Sequence, residues 1–103
     1  MRGEIFRLRT PRGSRGHEQA GMRYVVVVQS DDLPLSTLLI APTSTAARAA
    51  SFRPEVEIAG QITRVLAEQT AAVDPGRVGD SAGFLSFDEL RRVDAALRIV
   101  MEL

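Results

Sequence analysis

The chain has no cysteine and no lysine, one histidine, and only four phenylalanines and one tyrosine for aromatics. Without cysteine there are no disulfides, no thiolate nucleophile and none of the usual zinc sites, which fits a reducing compartment. His17 stands alone and the acids are scattered without ligand spacing, so metal chemistry has no support. As the base of a catalytic triad His17 would need Ser14, Ser36 or Ser44 as its nucleophile, and no spacing singles one out. Base stacking is limited to Phe52, Tyr24 and Phe6. No apolar run reaches the length of a membrane helix, and Arg2, Arg7 and Arg9 sit where a signal peptide has its apolar stretch, so the expected location is cytoplasmic. No glycine-rich phosphate cradle opens a helix.

What is present reads as one domain, residues 1–103, with the 45% hydrophobic and 25% charged residues of an ordinary globular protein. The formal net charge of zero hides an asymmetry. Residues 1–53 hold eight arginines against Glu4, Glu18, Asp31 and Asp32, whereas residues 54–103 hold five arginines against nine acids. Positive charge concentrated in the first half hints at a polyanionic ligand. Arginine suits bidentate phosphate contacts, although an all-arginine repertoire is equally what a GC-rich coding sequence yields.

Along the chain, Glu4 to Arg9 alternates as a half-exposed strand, and Thr10 to Met22 is a long polar loop. Tyr24 to Gln29 reads as a central strand buried on both faces. A turn at Asp31 to Pro34 precedes a third strand, Thr37 to Ala41, which ends at Pro42. Thr43 to Arg53 is a second polar loop. Glu55 to Ala59 is a strand with Val56 and Ile58 inward, Ile62 to Glu68 another, and Val78 to Leu85 a last short one. Ser86-Phe87-Asp88-Glu89 is a capping box opening a helix to about residue 102, its stripe Leu90, Val93, Leu97 and Val100 facing the core. Asp88 with Arg92 and Asp94 with Arg98 are spaced as pairs on its solvated side. The fold class is mainly β (α+β): a small barrel or bent sheet of five to six strands closed by a C-terminal α-helix.

The two polar loops carry the chemistry. The first offers His17, Glu18, Gln19 and Arg23; the second offers Thr43, Ser44, Thr45, Arg48 and Arg53. An arginine at a strand start beside hydroxyls at a neighbouring strand end can cradle a phosphate, since both donate to its oxygens. The plainer alternative is a solvated strand-end arginine and turn-forming hydroxyls.

The order Arg2-Gly3-Glu4-Ile5-Phe6, Gly16-His17-Glu18-Gln19-Ala20-Gly21-Met22-Arg23 and Val25-Val26-Val27-Val28-Gln29-Ser30-Asp31 resembles the MazF/PemK family of toxin endoribonucleases. Ile40-Ala41-Pro42-Thr43-Ser44-Thr45 is similar to its V-A-P-[LV]-T-[ST] segment. Val65-Leu66-Ala67-Glu68-Gln69, with Val73-Asp74 and Arg77, is similar to a further block. The resemblance implies an SH3-like barrel (PemK/CcdB-like) with a C-terminal helix. It also implies a homodimer that cleaves single-stranded RNA at short sequences without a metal or other cofactor. In that chemistry the ribose 2′-hydroxyl attacks, leaving a 2′,3′-cyclic phosphate and a 5′-hydroxyl.

By residue, the resemblance assigns Arg23 and Ser44 as catalytic, with Thr45 or Thr43 as alternatives to Ser44 and Glu18 in support. His17, in place of the family's serine, is a candidate for proton transfer. Arg12, Arg15, Gln19, Tyr24, Thr43, Arg48, Phe52, Arg53 and Gln69 are the expected RNA contacts. Arginine stays protonated, so Arg23 stabilises charge or donates a proton, and the base is left open. Tyr24 replaces the family's proline, adding a ring near the site, and Ala71 replaces a basic residue. A cognate MazE-like antitoxin is implied as partner. The other readings are a CcdB-like gyrase poison, against which Arg23 and Ser44 argue, and a non-catalytic RNA-binding or regulatory protein of the same fold.

Overall fold

The computed structural model describes residues 1–9 and 22–103. Among these residues seven strands precede one α-helix: β1 (Glu4–Arg9), β2 (Met22–Val27), β3 (Leu38–Ser44), β4 (Glu55–Ile58), β5 (Gln61–Val65), β6 (Ala71–Val73), β7 (Val78–Phe84) and α1 (Phe87–Met101). All the pairings are antiparallel. Six strands run in the order β4-β5-β3-β2-β1-β7, and β6 pairs with the first part of β3. The sheet curls into a half-barrel whose inner face α1 covers.

The valine run occupies the middle because β-branched side chains fill both faces of a pleated strand. Val26 joins Ile5, Ala41, Val56, Ile58, Val65, Leu85 and the helical Val93 in the inner core. Val25 and Val27 point the other way and pack with Ile40, flanked by Phe6, Leu8, Leu38 and Val73. Val56 and Ile58 of β4 are buried between exposed Glu55 and Glu57, as their alternation predicts. The β4–β5 hairpin turns on Ala59 and Gly60, both at positive φ, the conformation of a two-residue type I′ turn.

Gly3 has a structural reason as well. At φ +85° it donates its N–H to the Val27 carbonyl and accepts from Leu85 N–H. A Cβ there would sit 3.1 Å from Leu90 Cδ2, so glycine lets the chain start pass under the helix.

In three places the elements differ from the sequence expectation. The third strand does not end at Pro42 but continues to Ser44. Pro42 opposes Val25, and its carbonyl accepts from Leu66 N–H at 2.8 Å, away from β2. Its nitrogen therefore faces the point where β3 exchanges β6 for β5 as neighbour, and no ladder bond is lost. The strand expected over Ile62 to Glu68 stops at Val65, since Val65, Leu66 and Ala67 are all buried and a strand would turn alternate residues outward. Ala67–Gln69 forms a 3₁₀ turn instead, and β6 follows it unanticipated, only three residues long.

The helix is as read, with a reciprocal capping box: Ser86 Oγ accepts from Glu89 N–H at 3.1 Å and Glu89 Oε1 accepts from Ser86 N–H at 2.8 Å. Val93 and Ala96 are its buried residues, while Val100 is 38% exposed and falls outside the stripe. Asp88 and Arg92 pair at 3.4 Å. Asp94 pairs with Arg2 rather than Arg98, because Arg2 reaches over from the chain start and also donates Nε to the Val28 carbonyl. Among the described residues no helix is long and apolar enough to cross a membrane.

Candidate functional site

The register of β2 and β3 decides what Arg23 faces. Val27 opposes Ile40, Val26 opposes Ala41 and Val25 opposes Pro42. The ladder ends there, and just beyond it Thr43 Oγ1 donates to the Tyr24 carbonyl at 2.8 Å, so Arg23 and Ser44 each follow on adjoining ends of the two strands. On its other side Ser44 is paired with Arg64 of β5. Arg23, Ser44 and Arg64 thus lie on three neighbouring strands, with Ser44 and Arg64 directly paired.

Ser44 is half-buried and its Oγ accepts from Ala46 N–H at 3.2 Å, which orients the oxygen and leaves the hydroxyl proton to donate. Arg23 is exposed. Arg64 is engaged, donating Nη1 to the Arg53 carbonyl at 2.9 Å and Nη2 to Glu55 at 2.7 Å. Its place beside Ser44 was invisible in the sequence, where it is one exposed-phase residue of a strand twenty positions on; only the β3–β5 pairing reveals it.

Other expected residues divide sharply. Thr43 is buried, at 8% exposure, with its hydroxyl donated to the Tyr24 carbonyl. Alternation turns Tyr24 to the sheet face opposite Arg23, where its ring packs on the inner core under the Arg7 guanidinium at 5.8 Å. The ring expected near the site is therefore on the other side of it. Arg53 is held in an ion pair with Glu68, and its guanidinium lies 5.5 Å from the centre of the half-buried Phe52 ring. Thr45, Arg48 and Gln69 are exposed, the first two on the connection after Ser44 and the last on the 3₁₀ turn beside Glu68. Arg77, from the last matched block, donates to the Arg9 carbonyl at 3.1 Å and braces β1.

Arg12, Arg15, His17, Glu18 and Gln19 lie outside the described residues. The ends of that segment are held together, since Arg9 pairs with Met22, one residue before Arg23. Among the described residues no group of three His, Asp or Glu side chains is arranged to hold a metal.

The profile of one family matches residues 1–101. The chain belongs to the PemK-like, MazF-like toxins of type II toxin–antitoxin systems. It is 39% identical over 98 residues to the candidate toxin Rv3098A of Mycobacterium tuberculosis (strain ATCC 25618 / H37Rv), covering 94% of this chain and 92% of that one. Its fold is that of an endoribonuclease solved in complex with its cognate antitoxin from a mycobacterial species, with a TM-score of 0.81, 15% identity and coverage of 100% and 95% of the two chains. It is likewise that of MazF from Deinococcus radiodurans, with a TM-score of 0.76, 21% identity and coverage of 98% and 94%. The half-barrel and C-terminal helix are thus the architecture of MazF toxins. The MazF-like chain presents its exposed arginine and oriented hydroxyl on the outer sheet face, beyond the Val25, Val27 and Ile40 cluster.

Proposed function

We propose that the chain is a metal-independent endoribonuclease that cleaves single-stranded RNA, acting as the toxin of its pair in the cytoplasm. The observation that supports the reading is an exposed Arg23 near the start of β2 and an oriented Ser44 hydroxyl at the end of the neighbouring strand β3, joined by the Thr43–Tyr24 bond between them. In the proposed step the ribose 2′-oxygen bonds to the adjacent phosphorus and the bond to O5′ breaks, giving a 2′,3′-cyclic phosphate and a 5′-hydroxyl. Charge builds on the equatorial phosphate oxygens, where Arg23 and the Ser44 hydroxyl donate hydrogen bonds. The 2′-hydroxyl proton goes to a base supplied from residues 10–21, with Glu18 and His17 the candidates, and O5′ leaves as the 5′-hydroxyl by taking a proton from Arg23 or from water. Thr45, Arg48 and Gln69, with Arg12, Arg15 and Gln19, make the substrate contacts. Phe52 and Arg53 support them from beneath, and recognition of unpaired bases reads the sequence.

The working unit of this reading is a homodimer. Ile99, Val100, Met101 and Leu103 leave the helix end apolar and exposed, beside a groove of about 380 Å³ between Arg2, Leu39 and Leu97. Apolar patches of this kind mark interaction sites. A MazE-like antitoxin is the proposed inhibitor, by analogy with the complexed mycobacterial relative.

The test is incubation with mixed-sequence RNA in EDTA and mapping of product 5′ ends. Discrete cuts with 5′-hydroxyl ends, reduced roughly 100-fold or more in Arg23→Ala with dimer and fold unchanged, are the expected result. Intact RNA from a folded dimer would move the reading to gyrase poisoning or to RNA binding without cleavage.

A further inference from the structure

The connection from Ser44 to β4, residues 45–54, has no helix or strand of its own, yet it starts at the candidate hydroxyl and carries Arg48. Its fixing point is Arg53. The guanidinium donates Nε to Glu68 Oε2 at 2.8 Å, sets Nη2 2.5 Å from the same oxygen, and donates Nη1 back to the Arg48 carbonyl at 3.4 Å. Its backbone N–H donates to the Ala50 carbonyl at 3.0 Å, and its carbonyl accepts from Arg64, the residue paired with Ser44. Glu68 is equally placed: its 3₁₀ turn follows Leu66, whose N–H is bound to the Pro42 carbonyl two residues before Ser44. One ion pair therefore ties the far end of the connection to β5 and to β3, the strand that carries the hydroxyl.

The arrangement is unlike that of an arginine awaiting phosphate. Both side chains are about three-quarters buried, at 25% exposure each, and the donor edge suited to a phosphate is spent on a carboxylate. Glu68 Oε1 is sealed from solvent with no donor among the described residues. A bridge satisfied on one oxygen adds little net stability, but it strongly penalises any movement that separates the charges.

We propose that Arg53 and Glu68 are a positioning pair for RNA cleavage. They hold residues 45–53, and through Arg64 the Ser44 hydroxyl, in the reactive geometry, and Arg53 does not itself contact RNA. This rests on the ribonuclease reading above. It differs from the expectation that Arg53 is a phosphate ligand, and the two make opposite predictions for Glu68: removing a carboxylate beside a phosphate-binding arginine strengthens RNA binding, whereas removing a latch weakens cleavage.

The experiment compares Arg53→Ala, Arg53→Lys, Glu68→Gln and the Arg53→Ala/Glu68→Gln double variant with the wild-type chain. It reads kcat and KM separately, the salt dependence of binding to a non-cleavable 2′-deoxy-substituted oligonucleotide, and hydrogen exchange of amides 45–53 without RNA. The expected result is faster loop exchange and kcat lowered roughly 10- to 100-fold in both Arg53→Ala and Glu68→Gln. KM and salt slope stay near wild type, Arg53→Lys recovers part of kcat, and the double variant is no worse than the poorer single one. A raised KM with a salt slope reduced by about 0.7 in Arg53→Ala, and unchanged kcat in Glu68→Gln, would overturn the proposal in favour of a phosphate contact. Unchanged loop exchange in Glu68→Gln would overturn it too. Should the wild-type chain leave RNA intact, the ribonuclease reading fails and the catalytic half of this proposal with it; the exchange data then decide independently whether the pair holds the loop.

Discussion

Thr43 and Ser44 carry the same functional group in adjacent positions and meet opposite fates. A strand sends successive side chains to opposite faces, so one hydroxyl turns into the inner core side and bonds the Tyr24 carbonyl, and the other emerges half-buried on the opposite face, at the residue paired with Arg64. This separates their roles experimentally. On the proposed ribonuclease reading, Ser44→Ala is expected to lower RNA cleavage by roughly 10- to 100-fold with little change in unfolding free energy, because that reading uses the donor only as charge builds on the phosphate. Thr43→Val is expected to cost about 1 kcal/mol of stability through a lost buried hydrogen bond, with cleavage per folded molecule unchanged. Urea unfolding and initial rates on one oligonucleotide check both, and the reverse pattern would exchange their assignments.

At the scale of elements, the capping box shows a motif readable in sequence that also does something the sequence does not display. Ser86 and Glu89 satisfy each other's backbone donors, as their spacing foretells. Glu89 has a second oxygen, and it accepts from Glu57 N–H at 2.7 Å, so the same side chain fastens the start of α1 to β4. Ser86→Ala should cost about 1 kcal/mol, the usual value for an N-cap. Glu89→Ala should cost more, about 2 kcal/mol, because it releases two backbone donors, one of them in another element. Chemical denaturation of both variants decides it; equal losses would mean that the β4 bond contributes nothing. Strand ends follow a similar logic. Pro42 reads as a stop, yet β3 runs through it because β3 changes neighbours there and no donor is required on that side.

For the whole molecule, the excess of arginine in the first half is partly cancelled on folding. Arg2 is paired with Asp94 and Arg53 with Glu68, each an acid from the second half. Arg7, Arg9, Arg23 and Arg48 are the arginines of that half that stay exposed among the described residues. If Arg23 and Arg48 meet phosphates together with the proposed contacts Arg12 and Arg15, the logarithm of RNA affinity falls against that of salt concentration with a slope of about −3 per protomer. Binding to a non-cleavable oligonucleotide across a salt series measures it, and a slope near zero would exclude an electrostatic RNA surface.

Acid sensitivity is also a property of the assembled molecule. Burial works to raise the carboxyls of Glu68 and Glu89, but it is outweighed by the Arg53 hydrogen bond in the first and by the Ser86 and Glu57 N–H groups in the second. Both are held below the ordinary 4.5. Since the folded values lie below the unfolded ones, this stabilisation is complete above pH 4.5 and is lost as the pH falls through the folded values. The urea midpoint should therefore drop below about pH 4.5, and more shallowly in a Glu68→Gln/Glu89→Gln variant.

The sequence by itself determined the elements whose pattern is local: the buried valine strand, the alternation of β1 and β4, the Ser86 cap and the helical stripe to Leu97. The resemblance of its motifs added the family and the pairing of Arg23 with a hydroxyl. Tertiary structure alone decided that the Thr43 hydroxyl is committed to the Tyr24 carbonyl, that the Tyr24 ring packs on the inner core, that Arg64 stands beside Ser44, and that Arg53 and Asp94 find partners 15 and 92 residues away. The physical reason is common to all four. Periodicity fixes the face on which a side chain lies, whereas its neighbour across a sheet depends on register and strand order, which are set by the packing of the whole core.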